Sequence, residues 1–385
     1  MPYLDHAATT PLREEVLEAM LPWLREGFGN PSSLHGPGRQ ARVAVDRARG
    51  EIADVLGCEP GEVLFTSGGT EADNAAIRGV LTGGAVRETG RPGLVTSAAE
   101  HEAVLRPAEA LRGDGHPVEI VAPLPTGAPD PARLGAAVNE ATGLVSAMLV
   151  NNEVGAIGSI REIAEAAHAR GALCHTDAVQ APGLLPLRVD DLGVDLLSLS
   201  GHKVNGPKGI GALVVRTGTP FSPLVRGGSQ ERGRRGGTEN VAAIVGFATA
   251  LTLAEAERDE TTTCLHRLRS RLTAALRETI SDLHVNTHEV SAPHVLNVSL
   301  PPSDRGSADG EMLLLGLDLE GVHVSAGSAC TSGALTPSHV LLAMGVPHET
   351  AAATVRFSLG RTTTEADVDV AAEAFARVVA RIRAL

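Results

Sequence analysis

The chain has 385 residues, 43% hydrophobic and 21% charged, the composition of an ordinary globular protein long enough to divide into two domains. Its 46 acidic residues outnumber 33 basic ones, for a formal net charge of −13, which excludes a global attraction for nucleic acid. The start MPYLDHAATT lacks the basic and apolar regions of a secretory signal, and no uninterrupted apolar run reads as a membrane helix, so a cytoplasmic protein is expected.

In chain order, residues 37–56 read as a helix closed by Gly57, with mixed charge and recurring Ala, Val, Ile and Leu. Glu62–Thr66 reads as a short strand, and Ser67-Gly-Gly-Thr70 turns into a helix through Arg78. A second unit runs from the strand Gly93–Thr96 through His101 into another helix. A third has the strand Leu144–Val150, then Asn151-Asn-Glu153, then a helix with Ser159 and Glu162 at capping-box spacing and a stop near Gly171. The strands Ala172–Thr176, Val194–Leu199 and Gly211–Val215 follow. A long charged helical stretch over 243–280 leaves this region. Val295–Ser299, a small-residue loop around Cys330, Thr354–Ser358 and a terminal amphipathic helix complete the chain. Apolar strands alternating with amphipathic helices predict an α/β sheet covered on both faces, with a smaller α/β domain after it. The large domain is placed at 16–258, and the small one at 1–15 and 259–385.

The residues at the strand ends carry the chemistry. Lys203, in Ser200-Gly-His-Lys203, follows an apolar strand, where it can project into a ligand crevice. A lysine bound as an imine is the attachment of pyridoxal phosphate, and a neighbouring hydroxyl and imidazole suit the phosphate. Read alone, the same lysine is as well explained as a solvated loop residue. Thr70 lies at a Gly-rich strand-to-helix turn whose free N–H groups can bind an anion. It belongs to neither a GxGxxG nor a GxxxxGK[ST] pattern. Asp177 ends another strand, where a carboxylate can pair with a protonated pyridine nitrogen. Gln180, three residues on, faces the same way if the segment is helical. Taken alone, Arg356 reads more readily as a structural ion-pair arginine than as a substrate clamp, and His101 as a helix cap or core partner. The histidines give no HExxH spacing, and no metal site is expected. Cys58, Cys174, Cys264 and Cys330 form no CxxC pair and no disulfide pattern.

Together these segments resemble the ordered motifs of the cysteine desulfurase family, a branch of the class V aminotransferase-like enzymes. The resemblance rests on Ser67-Gly-Gly-Thr-Glu71, Glu100-His101, Asn151-Asn-Glu153, Asp177-Ala-Val-Gln180 and Ser200-Gly-His-Lys203. It extends through Tyr3–Pro11, Gly29–His35, Arg235-Gly-Gly-Thr-Glu-Asn240, Gly327-Ser-Ala-Cys-Thr-Ser332 and Arg356-Phe-Ser-Leu-Gly360, across nearly the whole chain. It implies a fold type I pyridoxal-phosphate transferase, with Lys203 as the imine-forming residue and proton shuttle. Asp177 is then the partner of the pyridine nitrogen and Gln180 that of the ring oxygen. Gly69, Thr70, Ser200 and His202 surround the phosphate, with Thr238 reaching it from a second subunit of a homodimer. His101 stacks on the ring and assists proton transfer, while Asn152 and Arg356 orient the substrate through the guanidinium fork.

The implied reaction converts L-cysteine to L-alanine and leaves its sulfur on Cys330 as a persulfide. A loop of small residues can expose and move that sulfur, and Thr336-Pro337 has the look of an N-cap with proline at N1 of the next helix. The sulfur then passes to an acceptor protein, either an iron–sulfur scaffold or a tRNA-thiolation relay, with Cys330 a candidate cluster ligand during transfer. Selenocysteine lyase or sulfinate elimination uses the same cofactor apparatus with less need of Cys330. A non-enzymatic sulfur-delivery adaptor would leave Lys203, Asp177 and Gln180 unexplained.

Overall fold

In the computed structural model, which describes residues 1–302, 308–326 and 336–384, the strands fall into two sheets. The larger contains β1 (Val63–Thr66), β2 (Gly93–Ser97), β3 (Val118–Val121), β4 (Thr142–Ser146), β5 (Leu173–Asp177), β6 (Leu196–Ser200) and β7 (Gly211–Val215), in the order β1-β7-β6-β5-β4-β2-β3. Strands β3, β2, β4, β5 and β6 are mutually parallel, and β7 is antiparallel to both of its neighbours. The smaller sheet is antiparallel, β10-β9-β8, from β8 (His284–Val285), β9 (Val295–Ser299) and β10 (Thr354–Ser358).

Successive strand residues face opposite sides of the sheet, so a run of consecutive apolar residues needs cover on both. Val95, Val145 and Leu197 point to one face, against Val45 and Ile52 of helix Gly36–Leu56 and Phe247 of helix Val241–Ala256. Their neighbours Leu94, Leu144 and Leu196 point to the other, against Ile77 of helix Gly69–Leu81 and Val104 of helix Glu102–Gly113. A separate core joins Val298 and Phe357 of the smaller sheet to Leu265 and Leu272 of helix Arg258–Thr279 and Phe375 of helix Glu365–Ala384. The N-terminal segment belongs to this second core: Leu4 is fully buried there, and its carbonyl accepts the Ser358 N–H at 2.7 Å.

Several expected elements change. The helical stretch over 243–280 is two helices broken at Glu257. The first is almost wholly apolar and stays in the large core, whereas the second is charged and packs one leucine stripe into the small core; one straight rod could not serve both. Glu257 is also held by the Arg13 guanidinium, at 2.8 Å to each oxygen. β4 ends at Ser146, short of the expected Val150. Ser159 precedes helix Ile160–His168 but makes no side-chain cap. The helix expected after Thr336-Pro337 begins at His339, capped by Ser338, whose Oγ accepts the Leu341 N–H at 3.2 Å. The charged run Glu231–Arg235 is tied into the large domain. Glu231 is buried against Arg49, Arg234 donates to the Gly61 carbonyl at 2.6 Å, and Arg235 pairs with Glu71 at 3.0 Å.

Candidate active site

Because β1, β2, β4, β5 and β6 point the same way, the loops leaving them converge on one edge of the sheet, where ligands of open α/β sheets bind. There they enclose a cavity of about 260 Å³. Thr70 enters from beyond β1, His101 from beyond β2 and Asn152 from beyond β4. Asp177 and Gln180 come from the end of β5, and Ser200, His202 and Lys203 from the end of β6.

One end of the cavity is built for an anion. Helix Gly69–Leu81 starts there with no side-chain cap, so its first N–H groups remain as donors carrying the positive end of the helix dipole. A Cβ at Gly69 would lie 2.8 Å from Val179 Cγ2 and force that side chain aside. Ser200 Oγ is buried without a partner among the described residues, an arrangement that costs free energy unless a ligand completes it. His202 Nδ1 lies 3.1 Å from Thr9 Oγ1, and burial pushes its pKa down to about 4.

The opposite end is built for a cation. Asp177 is buried and accepts the Val179 N–H at 2.9 Å, and it pairs with no basic side chain at salt-bridge distance among the described residues. Burial raises its pKa, with His101, the Val179 N–H and Lys203 opposing. Such a carboxylate is poised to be compensated by a positively charged ligand atom. His101 caps helix Glu102–Gly113, its Nδ1 accepting the Ala103 N–H at 3.1 Å, while the ring lines the cavity. Capping and cavity roles therefore coincide. The crevice walls lower its pKa, with Lys203 adding to the effect and Asp177 opposing it. Ala178–Gln180 is a turn rather than a helix, yet Asp177 and Gln180 line the same cavity.

Lys203 lies between these ends. A 3₁₀ turn, Gly201–Lys203, follows β6 directly and brings the lysine back over the strand ends. Its Nζ donates to the carbonyls of Ala7 and Ala8 at 2.6 and 2.8 Å. Burial, aided by the Arg356 charge, pulls its pKa down to about 8. That raises the fraction of neutral, nucleophilic amine near neutral pH.

Arg356, on β10, is buried outside the lining of this cavity. Its guanidinium donates to the Asn152 carbonyl (2.9 Å), Asp5 Oδ1 (2.8 Å) and Ser325 Oγ (2.8 Å), leaving Nε without a partner among the described residues. It thus has the ion pair that its sequence context suggests, and it abuts the loop carrying Asn152. Thr238 is exposed and does not line the cavity. Cys330 lies outside the described residues. Sequence reasoning passed over Asp73, a cavity-lining carboxyl only 1% exposed, near His175 Nε2 at 3.6 Å. Burial and the charge of Asp177 raise its pKa well above the usual range. Its position one turn beyond Thr70 on the same helix was the available signal.

A nucleophilic amine, an anion cradle and an uncompensated carboxylate in one crevice could hold a planar phosphorylated carbonyl compound bearing a basic ring nitrogen. The chain belongs to the class-V aminotransferase family, whose model matches residues 2–370. It is 45% identical over 384 residues to a cysteine desulfurase IscS of Dictyoglomus turgidum, covering 100% of this chain and 95% of the relative. It is 46% identical to one of Methanosarcina thermophila, over 99% and 92% of the two chains. A solved structure named NifS-like protein superposes with a TM-score of 0.90 at 36% identity, covering 99% of this chain and 100% of the other. Within its class the chain is a member of the IscS/NifS-like cysteine desulfurase family.

Proposed function

We propose that this chain is a pyridoxal-phosphate-dependent cysteine desulfurase that converts L-cysteine to L-alanine and passes the sulfur, through a persulfide on Cys330, to an acceptor protein. The observation carrying this reading is the grouping of Lys203, with its depressed pKa, the buried Asp177 and the anion-binding end of helix Gly69–Leu81 in one cavity. The relatives named cysteine desulfurase supply the substrate and reaction class. A solved relative, 34% identical with a TM-score of 0.79, is described as SspA in complex with cysteine, which supports the same choice of substrate. In this reading residues 16–258 are the cofactor domain, and residues 1–15 and 259–385 the small domain.

The residues fit pyridoxal phosphate. The uncapped helix end with Gly69 and Thr70, Ser200 Oγ and His202 holds the phosphate, Asp177 faces the ring nitrogen, and Gln180 donates to the ring oxygen. Thr238 of a second subunit adds to the phosphate site. When bound, the cofactor supplies a sink for the electron pair left at the substrate α-carbon. His101 packs on the ring face, and Asp177, kept anionic by the charge it compensates, holds the ring proton. Lys203 takes the α-proton and returns it. Arg356 and Asn152 orient the substrate carboxylate, Arg356 exchanging Asp5 for it.

The Cys330 thiolate attacks the substrate sulfur. The new S–S bond forms as the carbon–sulfur bond breaks, and the electron pair of that bond goes to the β-carbon, which is protonated to give the methyl group of alanine. L-cysteine and one enzyme thiol thus become alanine and one enzyme persulfide. An acceptor thiol then removes the outer sulfur.

Cys330→Ser tests this directly, because serine preserves size but cannot carry the sulfur. The variant should retain bound cofactor and the spectral response to L-cysteine while alanine formation falls by about a hundredfold or more. With sulfur-labelled L-cysteine, the unmodified protein should carry reducible label on Cys330. Unchanged alanine formation without labelled protein would replace this reading with direct elimination, the lyase chemistry of the same apparatus.

A further inference from the structure

Behind the cavity, on the side of Lys203 that faces the smaller sheet, lies a second polar recess lined by His6, Gln180, Lys203 and His294 among others. His294 immediately precedes β9, is 5% exposed, and anchors its backbone by accepting the Leu359 N–H at 2.7 Å. Its Nε2 lies 3.3 Å from Gln180 Oε1, near the long end of hydrogen-bond distances. Gln180 Nε2 is 2.9 Å from the Ala7 carbonyl, which also accepts Lys203 Nζ at 2.6 Å.

The polarity of this chain of contacts is fixed by its one unambiguous member. A backbone carbonyl only accepts, so the Gln180 atom beside Ala7 is the amide nitrogen and the oxygen faces His294. An amide oxygen also only accepts, so His294 must present Nε2–H. Its Nδ1 is buried with no partner among the described residues. One protonated nitrogen and one bare nitrogen make the ring neutral. Burial holds its pKa down to about 3, with Arg356, Arg269, His6 and Lys203 adding to the effect.

We propose that His294 is a positioning residue for Gln180: its Nε2–H, together with the Ala7 carbonyl at the other end of the amide, holds the amide oxygen away from the cofactor cavity, so that the NH₂ group, with one hydrogen on Ala7, presents the other to the cavity. Without that donor the amide is held only at its nitrogen end, by an Ala7 carbonyl that Lys203 Nζ also occupies, so a flip becomes less costly and would set an acceptor where the ring oxygen of the cofactor needs a donor. Nothing here makes His294 touch substrate; it acts through Gln180. The inference rests on the reading of Gln180 as the ring-oxygen partner.

The test uses the intact cofactor-loaded protein and compares His294→Phe, His294→Gln and Gln180→Leu by pH titration of the visible absorption of the bound cofactor. A ring oxygen that loses its donor holds the neighbouring proton more tightly, so the midpoint in His294→Phe should move upward by about one pH unit, tenfold in the proton equilibrium. Gln180→Leu should move it the same way. His294→Gln, whose amide can reach the place of Nε2–H, should stay within about 0.3 units of the parent. A shift in Gln180→Leu without one in His294→Phe overturns the positioning role and leaves the cofactor reading standing; no shift in either removes both. Should His294→Phe fail to fold, nitrogen NMR of the unmodified protein labelled in histidine decides. A bare Nδ1 and protonated Nε2 at His294 are expected, and the opposite tautomer overturns the inference.

Discussion

Lys203 is one of only two lysines in the chain, the other being Lys208, among 33 basic residues. Covalent attachment of an aldehyde cofactor therefore has few places to go. Hydride reduction of the loaded protein followed by peptide mapping should put the cofactor on Lys203, and its recovery on Lys208 would end the assignment. Lys203→Ala should lower alanine formation by about a hundredfold or more, since both attachment and proton transfer depend on it. The depressed pKa gives a further expectation for the cofactor-free protein. Burial beside Arg356 disfavours the ammonium form, so the neutral amine grows as pH rises toward about 8 and dominates above it. Its rate of reaction with a small aldehyde should rise with pH and level off above that value. The legibility of these residues has a physical origin. Asp177, Ser200 and Lys203 end or follow consecutive apolar residues, where a polar side chain must leave the core at the strand mouth. Asp73 lies on a helix amid Glu71 and Asn74 and reads as solvated, although it is buried. Its place one turn beyond Thr70 hints at the crevice, but the convergence of loops from separate strands is what sets it beside Asp177.

Elements whose ends are set by local chemistry were readable in the sequence, and those set by distant packing were not. β7, β9 and β10 occupy their expected residues, and Gly57 closes helix Gly36–Leu56 in the left-handed conformation, φ 63°. β3 was passed over because Val118-Glu-Ile-Val121 is a half-exposed edge strand of four residues, too short for a period to stand out. The segment Gln230–Gly233 carried no local signal for its shape, because its decisive partner is Arg49, 182 residues away. Glu231 and Arg232 have φ values of 47° and 57°, a conformation that costs non-glycine residues about 1 kcal/mol or more each. The clamp offsetting that strain is bidentate: Arg49 Nη1 and Nη2 meet the Glu231 carboxylate at 2.9 and 2.8 Å, while Glu231 also accepts the Phe65 N–H at 3.1 Å. Glu231→Ala should strand a buried guanidinium and cost about 3–5 kcal/mol, measured by denaturant unfolding. Replacing both residues by methionine should cost less than the single change, because the unpaired charge disappears with the pair. If Glu231→Ala unfolds at the parent midpoint with the parent slope, the clamp carries no stability.

The same clamp holds the chain that leads to Thr238, and Thr238 is exposed outside the lining of its own subunit's cavity. Leu24, Phe28, Leu34 and Val43 are also exposed, Phe28 and Leu34 to 86% and 90%. Four large apolar side chains left open within twenty residues suit an association surface. In the proposed homodimer each phosphate site is completed by Thr238 of the other subunit, and light scattering of the loaded protein should give two chains per particle. Mixed dimers test the sharing itself. Lys203→Ala and Thr238→Glu should each be inactive as homodimers, the first for want of the lysine and the second because its carboxylate repels the phosphate. Unfolded together and refolded as mixed dimers, they should regain activity. One site of each mixed dimer then combines an intact Lys203 with the intact Thr238 of the opposite subunit, while the other site carries both defects. If Thr238 served its own subunit, each site would carry one defect and no activity would return. Inactive mixed dimers of confirmed composition, or full activity in a monomer, would therefore remove the shared site, since only exchange across the interface can rebuild a complete site from two defective chains.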